Sequence, residues 1–199
     1  LEPFRPRASI TIGDQLQDNI ASLNEHALLR RMQAGEAAAF ELLYERHQAR
    51  VYRYALRMSG SPEISDDIVQ EVFLALIRGA RGFDPEAGGL ASYLYGMARN
   101  LLFRQYNAPV VEMLDEDALV ADADPLEGLE QAEQVERVRL ALASLPAHYR
   151  EAIVLCEMEE MSYAEVAEIL GVAVGTVRSR LHRARAILVE KLSQERCRA

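Results

Sequence analysis

The chain of 199 residues contains no tryptophan, two cysteines and a single lysine among its 22 basic residues. Cys156 and Cys197 form no CxxC pair and the four histidines are scattered, so the sequence gives no sign of a metal site. It also has no glycine-rich phosphate loop, no nucleophile elbow and no carboxylate pair suited to acid–base chemistry. These absences predict a protein that is not an enzyme and that uses no metal or other cofactor.

Long apolar and alternating segments are absent as well. No run approaches the roughly 18 apolar residues of a membrane span, and no sustained alternation of apolar and polar residues indicates a strand. No apolar signal-peptide core lies near the start, so we expect a cytoplasmic protein. Hydrophobic residues make up 50% of the chain and recur at helical spacing, which predicts an all-α fold.

The acidic charge is concentrated in one segment. A net charge of −9 argues against a nucleic-acid partner at first sight, but residues 105–130 hold eight acidic side chains and no basic one. Pro109, Pro125 and Gly128 in this segment are typical of a solvated connector, and the alternative is a segment that threads a basic channel on a partner. We therefore predict a poorly ordered N-terminal extension at residues 1–24, two small helical domains at 25–105 and 131–199, and an acidic flexible linker at 106–130.

Helical periodicity and turn residues place eight helices in these domains. Pro62 and Pro146 mark helix starts, and Gly60 and Gly171 mark helix stops. The predicted helices cover residues 25–34, 36–59, 62–79, 90–105, 130–144, 147–158, 162–170 and 174–193.

The most distinctive segment is VGTVRSRLHRAR, residues 174–185, which places four arginines on one short helix. The helix before it opens with the capping box of Ser162 and Glu165 and ends at Gly171. One stripe of the second helix is apolar, and the opposite face combines small and basic residues. This pattern is typical of a DNA-binding helix-turn-helix, in which small residues permit entry into the major groove and arginines contact guanine edges or phosphates. A solvated amphipathic surface helix is the alternative.

The helix at residues 62–79 carries apolar residues on both of its faces. Ile64, Ile68 and Val72 begin the stripe expected to face the core. The opposite face presents Asp66, Asp67, Gln70 and Glu71 beside Phe73, Leu74 and Ile77. An acidic rim around apolar side chains suits docking onto a basic, elongated protein surface. Alternatively, Phe73 and Ile77 pack onto a neighbouring helix of the same domain.

The next segment interleaves aromatic, arginine and amide side chains. After the loop GFDPEAGG at residues 82–89, a helix carries Ser92, Tyr93, Tyr95, Arg99 and Asn100. Such side chains suit single-stranded DNA, because rings stack on unpaired bases while amide and guanidinium groups contact base edges and phosphates. Tyrosines at helical spacing are also ordinary core residues, which is the alternative.

Two sequence blocks together resemble an extracytoplasmic-function (ECF) type sigma factor of bacterial RNA polymerase. The blocks are DDIVQEVFLALIRGARGFDP…SYLYGMARNLL and SLPAHYREAIVLCEMEEMSYAEVAEILGVAVGTVRSRLHRARAIL. The resemblance covers roughly residues 28–104 and 131–193. The second block alone would fit other helix-turn-helix regulators, whereas the two in this order fit little else. The resemblance implies two small helical domains, a region 2-like bundle and a region 4-like helix-turn-helix, that direct the polymerase core to specific promoters.

The resemblance also implies three sets of binding residues. Contacts with the clamp helices of the largest polymerase subunit are implied for Asp66, Asp67, Gln70, Glu71 and Phe73. Capture of a base flipped from the −10 element is implied for Phe83, Tyr93, Tyr95, Arg99 and Asn100. Recognition of the −35 element as duplex DNA is implied for Thr176, Arg178, Ser179, His182 and Arg183.

The same resemblance implies control by an anti-sigma factor. This chain departs from the family where Tyr93 stands in place of a frequent tryptophan, and where fewer basic residues follow the ARN motif. On the residues alone, two other classes compete: a stand-alone helix-turn-helix regulator that dimerises on an operator, and a helical protein that only mediates interactions.

Overall fold

The computed structural model describes residues 24–79, 89–105 and 127–196. Within these ranges every regular element is a helix, so the all-α prediction is confirmed. The predicted extension up to residue 23, Phe83 with most of its loop, and residues 106–126 of the predicted linker lie outside the described residues. No described helix combines the length and apolar character needed to cross a membrane.

Four helices form the N-terminal half of the described structure and four form the C-terminal half. The N-terminal half contains α1 (Glu25–Gln33), α2 (Ala37–Ser59), α3 (Pro62–Gly79) and α4 (Leu90–Gln105). The C-terminal half contains α5 (Glu127–Ala143), α6 (Ala147–Ile153), a π-helical turn (Val154–Met158), α7 (Tyr163–Leu170) and α8 (Val174–Arg196). These bounds follow the predicted helices closely, with two differences: α5 starts within the predicted linker, and the helix predicted at 147–158 finishes as a π turn.

Local capping explains where several helices begin and end. Asn24 Oδ1 accepts a 2.9 Å hydrogen bond from the Ala27 backbone N–H at the start of α1. Ser162 and Glu165 form the predicted capping box at the start of α7. Gly171 ends α7 with a φ of +64°, a left-handed conformation that glycine adopts without steric cost.

The N-terminal half packs around α2, which contacts α1, α3 and α4. Leu43, Val51, Ile68 and Leu76 are among its fully buried side chains. A 2.8 Å hydrogen bond between His47 Nε2 and Glu25 Oε1 ties α1 to α2. In this bundle α3 and α4 contact both α2 and each other, and these two helices carry two of the three predicted binding surfaces.

The main hydrophobic core continues from the N-terminal half into the C-terminal half. It contains Val154, Leu155, Met161, Val166 and Val177 together with the buried residues of α2, α3 and α4. A smaller cluster of buried residues lies wholly in the C-terminal half and comprises Leu142, Leu145, Ile153, Leu181 and Ala184. The two halves, which the sequence analysis treats as separate domains, therefore contact each other directly in this structure.

Candidate nucleic-acid and polymerase interfaces

Helices α7 and α8 form the predicted helix-turn-helix. Val177, Leu181 and Ala184 on α8 are buried, which confirms the predicted core-facing stripe. The short turn between the helices contains Gly171 and leads directly into α8. This packing fixes which face of α8 points away from the protein.

The residues predicted to read the −35 element lie on that outer face. Arg178, Ser179, His182 and Arg183 are exposed, whereas Thr176 is half-buried. The Arg178 guanidinium lies 5.8 Å from the centroid of the Tyr163 ring, a cation–π contact with α7. Four of the five predicted side chains are therefore accessible at the surface of the protein.

The flanks of α8 engage other parts of the chain. Arg185 forms an ion pair with Glu157 of the π turn. Arg180 is half-buried and acts electrostatically on the carboxylate of Glu151. These two arginines therefore act on carboxylates of the C-terminal half, whereas Arg178 contacts the Tyr163 ring.

The outer face of α3 presents the predicted acidic rim. Asp66, Asp67, Gln70 and Glu71 are exposed. Leu74 and Ile77 on the same helix are 42% and 51% exposed, so two large apolar side chains lie beside these polar groups. The result is an apolar pair bordered by carboxylates, in the arrangement expected of a protein-docking surface.

Phe73 does not belong to this surface, so its predicted place on the outer face of α3 is wrong, while its contact with the polymerase stays a prediction. The side chain is 3% exposed, and its ring meets the rings of Tyr44 and Phe40 edge-on at centroid distances of 4.8 and 6.3 Å. Phe73 follows Val72 by one position and precedes Leu76 by three, which places it on the flank of the buried stripe. The aromatic residues of α2 fill the space beside that flank, and the alternative of packing within the domain holds for Phe73.

Tyr95 on α4 is also buried, contrary to its predicted role as an accessible ring for a DNA base. It is 2% exposed, and its ring contacts Tyr54 edge-on at a centroid distance of 5.3 Å. Its hydroxyl donates a 2.6 Å hydrogen bond to Glu159 Oε2. Burial, reinforced by this hydrogen bond, raises the pKa of Tyr95 above its usual range.

The other predicted −10 residues differ in their surroundings. Tyr93 is half-buried and Asn100 is exposed, while Phe83 lies outside the described residues. Arg99 Nε donates a 2.8 Å hydrogen bond to Glu151 Oε1, and its guanidinium lies 4.8 Å from the centroid of the Phe103 ring. The C-terminal half thus covers Tyr95 and holds Arg99.

Two buried glutamates, Glu151 and Glu159, make these contacts, and the sequence analysis did not identify them. They are 1% and 2% exposed. Glu159 Oε1 accepts a 2.6 Å hydrogen bond from Arg57 Nη1, and Arg50 Nη2 donates to the Glu159 backbone carbonyl at 3.1 Å. Burial raises the pKa of the Glu151 carboxyl, and the neighbouring Arg99 opposes that shift. The sequence signal was an acid at position 151, on the side of the helix that three and four residues later carries Val154 and Leu155.

Backbone geometry directs Glu159 inward. The π turn ends where the Glu159 N–H donates a 3.0 Å hydrogen bond to the Val154 carbonyl, and Glu160 follows with a φ of +57°. This sharp change of direction leaves Glu157 and Glu160 exposed while Glu159 is buried against α2 and α4.

Arg150 also joins the two halves of the chain, through hydrogen bonds to backbone carbonyls. Its guanidinium donates to the carbonyl oxygens of Leu142 at 3.0 Å and Leu145 at 3.2 Å, and also to that of Ala143. It further donates a 3.0 Å hydrogen bond to Met58 O near the end of α2. One side chain therefore satisfies carbonyls at the C-termini of α5 and α2, which lie in different halves of the chain.

No group of histidine, cysteine, aspartate or glutamate side chains suited to hold a metal ion occurs in the part of the chain that the structure describes. The arrangement offers instead an exposed basic helix face, an acidic docking surface and a buried set of arginine–carboxylate contacts. These features suit binding to DNA and protein.

Two family comparisons match the two halves of the chain. Sigma-70 region 2 matches residues 43–108, and Sigma-70, region 4 matches residues 135–188. The ECF RNA polymerase sigma-E factor of Haemophilus influenzae is 34% identical over 183 residues, covering 85% of this chain and 96% of that protein. The ECF RNA polymerase sigma factor SigE of Mycolicibacterium smegmatis is 34% identical over 169 residues; the match covers 80% of this chain but spans only 65% of that relative's length.

Two solved structures share the fold. CnrH, in complex with the cytosolic domain of CnrY, gives a TM-score of 0.64 at 27% identity, covering 84% of this chain and 96% of that one. The sigma factor RpoE, in complex with the anti-sigma factor NepR from Bartonella quintana, gives a TM-score of 0.61 at 25% identity, covering 73% of this chain and 91% of that one.

Proposed function

The chain belongs to the ECF sigma factors of bacterial RNA polymerase, and we propose that it directs the polymerase core to specific promoters through three separate surfaces. The outer face of α8 reads the −35 element, the outer face of α3 docks on the core, and the α4 region captures a base of the −10 element. The observation that carries this proposal is the exposed row of Arg178, Ser179, His182 and Arg183 on a well-packed helix-turn-helix.

The outer face of α8 supports duplex recognition. Exposed arginines can contact guanine O6 and N7 or hold phosphates, and serine and histidine can donate to base edges. Because Val177, Leu181 and Ala184 anchor the opposite face, α8 enters the groove as a rigid element. Each bidentate arginine–guanine contact is worth about 1–3 kcal/mol of discrimination.

The outer face of α3 supports docking on the polymerase core. Asp66, Asp67, Gln70 and Glu71 form a polar rim, and Leu74 and Ile77 offer apolar area that a partner would bury. A helical, basic surface such as the clamp helices of the largest subunit complements it in charge and shape. The proposed surface omits Phe73.

The surfaces act together because none is strong enough alone. DNA affinity rises with the number of phosphates neutralised, and the exposed arginines of α8 are few. Docking on the core would hold both halves of the chain near one promoter, so the second contact would form at a high effective concentration. Residues 106–126 would connect the halves as the acidic linker.

Regulation by an anti-sigma factor is part of the proposal. CnrH and RpoE were solved in complexes with the cytosolic domain of CnrY and with NepR, and both share this fold. We expect a protein partner of the same kind to bind this chain and keep it from the core. We also propose that the protein acts in the cytoplasm, where polymerase and DNA are found, and that it catalyses no reaction itself.

The test is transcription by core enzyme on fragments of the genome that encodes the chain. Core supplied with the chain should produce run-off transcripts from discrete fragments, and core alone should not. Arg183→Ala should reduce these transcripts, whereas Arg139→Ala on α5, which removes an arginine paired with Glu136, should leave them unchanged. Absence of any chain-dependent transcript would refute the proposed function.

A further inference from the structure

We propose that Arg50, Arg57 and Arg99, together with Tyr95, form a binding track for the phosphates of single-stranded DNA, and that Glu151 and Glu159 occupy this track when the two halves of the chain are packed together. The proposal rests on the proposed function, since the strand would be the one exposed at the −10 element. It goes further by naming Arg50 and Arg57 as strand-binding residues and the two glutamates as their competitors.

The positions of the arginines support a continuous track. Arg46, Arg50, Arg53 and Arg57 follow the spacing i, i+4, i+7 and i+11, which places them along one face of α2. Tyr95 and Arg99 are four residues apart on α4, hence also on one helix face. Tyr95 and Arg57 share the carboxylate of Glu159, so the two helix faces meet. An arginine row beside a tyrosine is the combination that single-strand binding uses.

The carboxylates satisfy these side chains in the way that phosphate oxygens would. Glu159 uses one oxygen for Arg57 and the other for Tyr95, both at 2.6 Å, and Glu151 accepts from Arg99 at 2.8 Å. Both acids are almost completely buried. Arginine forms strong charge-assisted hydrogen bonds with both carboxylate and phosphate, so a DNA strand and the C-terminal half would compete for the same donors.

We call the contacts of Glu151 and Glu159 with the track the latch, because they hold the two halves together and can be broken. Removing a charge from water costs several kcal/mol per ion, and the ion pair repays much of this only with good geometry. The net stability of such a contact is therefore modest, and a polyanion that supplies replacement oxygens can displace it. The apolar side chains Val154, Leu155 and Met161 complete the closed contact.

The latch blocks one surface and leaves the other two open. In the packed structure Arg178 and Arg183 of α8 are exposed, and so are Asp67 and Glu71 of α3. The chain could therefore dock on the core and contact a −35 duplex before its halves separate. Strand capture alone would require opening, which places it after docking in the order of events.

The first experiment measures binding of the free, full-length chain to a fluorescent oligonucleotide of about 12 thymidines, within the site sizes typical of single-strand binders. Glu159→Gln and Glu151→Gln should each raise the affinity by about tenfold, because the binding-competent open state becomes more populated. Glu136→Gln is the matched control, since Glu136 is an exposed glutamate that pairs with Arg139 within α5. The Glu136→Gln variant should bind the oligonucleotide with the affinity of the wild type.

A second substitution separates the track from the latch. Arg57→Ala in the Glu159→Gln background should reverse the gain, and the slope of log affinity against log salt should fall by about 0.7, the value for one lost phosphate contact on a single strand. Arg139→Ala in the same background should change neither quantity. If Arg57 only held the two halves together, its removal would raise the affinity for the oligonucleotide. A lower affinity therefore identifies Arg57 as a strand-binding residue.

Opening itself is measured by energy transfer between dyes at Glu41→Cys and Ser193→Cys, both exposed positions, with Cys156 and Cys197 replaced by alanine. Transfer should decrease on adding the oligonucleotide and in the Glu159→Gln variant. Unchanged transfer and unchanged affinity in both glutamine variants would overturn the proposal, and so would opening without any gain in affinity. Because thymidine binding needs neither polymerase nor promoter, such a failure would leave the run-off test of the proposed function intact.

Discussion

The Tyr95 hydroxyl donates a 2.6 Å hydrogen bond to Oε2 of Glu159, a residue 64 positions further along the chain. Both side chains are buried, so the bond joins a helix of the N-terminal half to the turn before the helix-turn-helix. A carboxylate buried with too few donors is costly, and Tyr95 is one of the donors that stabilise Glu159. The contact links the packing of the two halves to a side chain for which the family resemblance implies a role at the −10 element.

Tyr95→Phe should destabilise the protein by about 1–3 kcal/mol, because it removes a donor from a buried carboxylate while keeping the ring. Thermal denaturation of wild type and variant would measure the loss. Tyr54→Phe is the matched control: the Tyr54 hydroxyl is buried beside Tyr95 without a hydrogen-bond partner. Its removal should be neutral or slightly stabilising. Equal losses in the two variants would contradict a specific role for the hydrogen bond.

The two residues Asp67 and Phe73, both predicted from the sequence to contact the polymerase, should respond differently to substitution. Phe73→Ala should cost about 3–5 kcal/mol of stability, the usual loss for a buried phenylalanine, because its ring packs on Tyr44 and Phe40. Asp67→Arg should leave the melting temperature unchanged and abolish capture of the polymerase core in a pull-down. Glu41→Arg on α2, also an exposed acid, controls for the change in charge. Full core binding by Asp67→Arg would rule out this docking surface.

The contrast between these residues shows what sequence patterns can predict here. Helix limits depend on local signals, such as the capping box at Ser162 and the stop at Gly171, and these agree with the structure to within a few residues. The exposed face of α8 follows from periodicity alone, because Val177, Leu181 and Ala184 determine which side is buried. Local features of the candidate site were therefore predictable.

Contacts between distant segments were not predictable in the same way. The spacing of Tyr95 fits either an accessible ring or a core residue, and its contacts with Tyr54 and Glu159 place it in the core. Phe73 lies at the boundary between the two faces of α3, where periodicity assigns neither face, and the rings of α2 decided its position. Glu151 was visible as an acid within an apolar stripe, but its arginine partner lies 52 residues earlier. Pairings over such separations depend on the three-dimensional packing.

Arg178→Ala should weaken binding to a −35 duplex and make it less salt-dependent. If Arg178 holds a phosphate, the slope of log affinity against log salt should fall by about 0.9, with an equal loss for all sequences. If it contacts a guanine, affinity should fall by about 1–3 kcal/mol for the preferred sequence only. Fluorescence anisotropy with preferred and scrambled duplexes separates these results. Arg139→Ala on α5 should change neither the affinity nor its salt dependence. If Arg178→Ala binds both duplexes as the wild type does, Arg178 does not contact the DNA.

The capping box of α7 should contribute stability that depends on pH. The hydrogen bonds from Ser162 lower the pKa of the Glu165 carboxyl below its usual value near 4.5. Because the folded-state pKa is depressed, this stabilisation is fully present above about pH 4.5 and is lost as pH falls through the folded-state value. In urea denaturation, Glu165→Gln should therefore be less stable than wild type at neutral pH, and the difference should shrink in acid. Ser162→Ala should cost about 1 kcal/mol, as for other N-cap losses. A Glu165→Gln variant whose stability follows that of the wild type at every pH would contradict the role of the capping box.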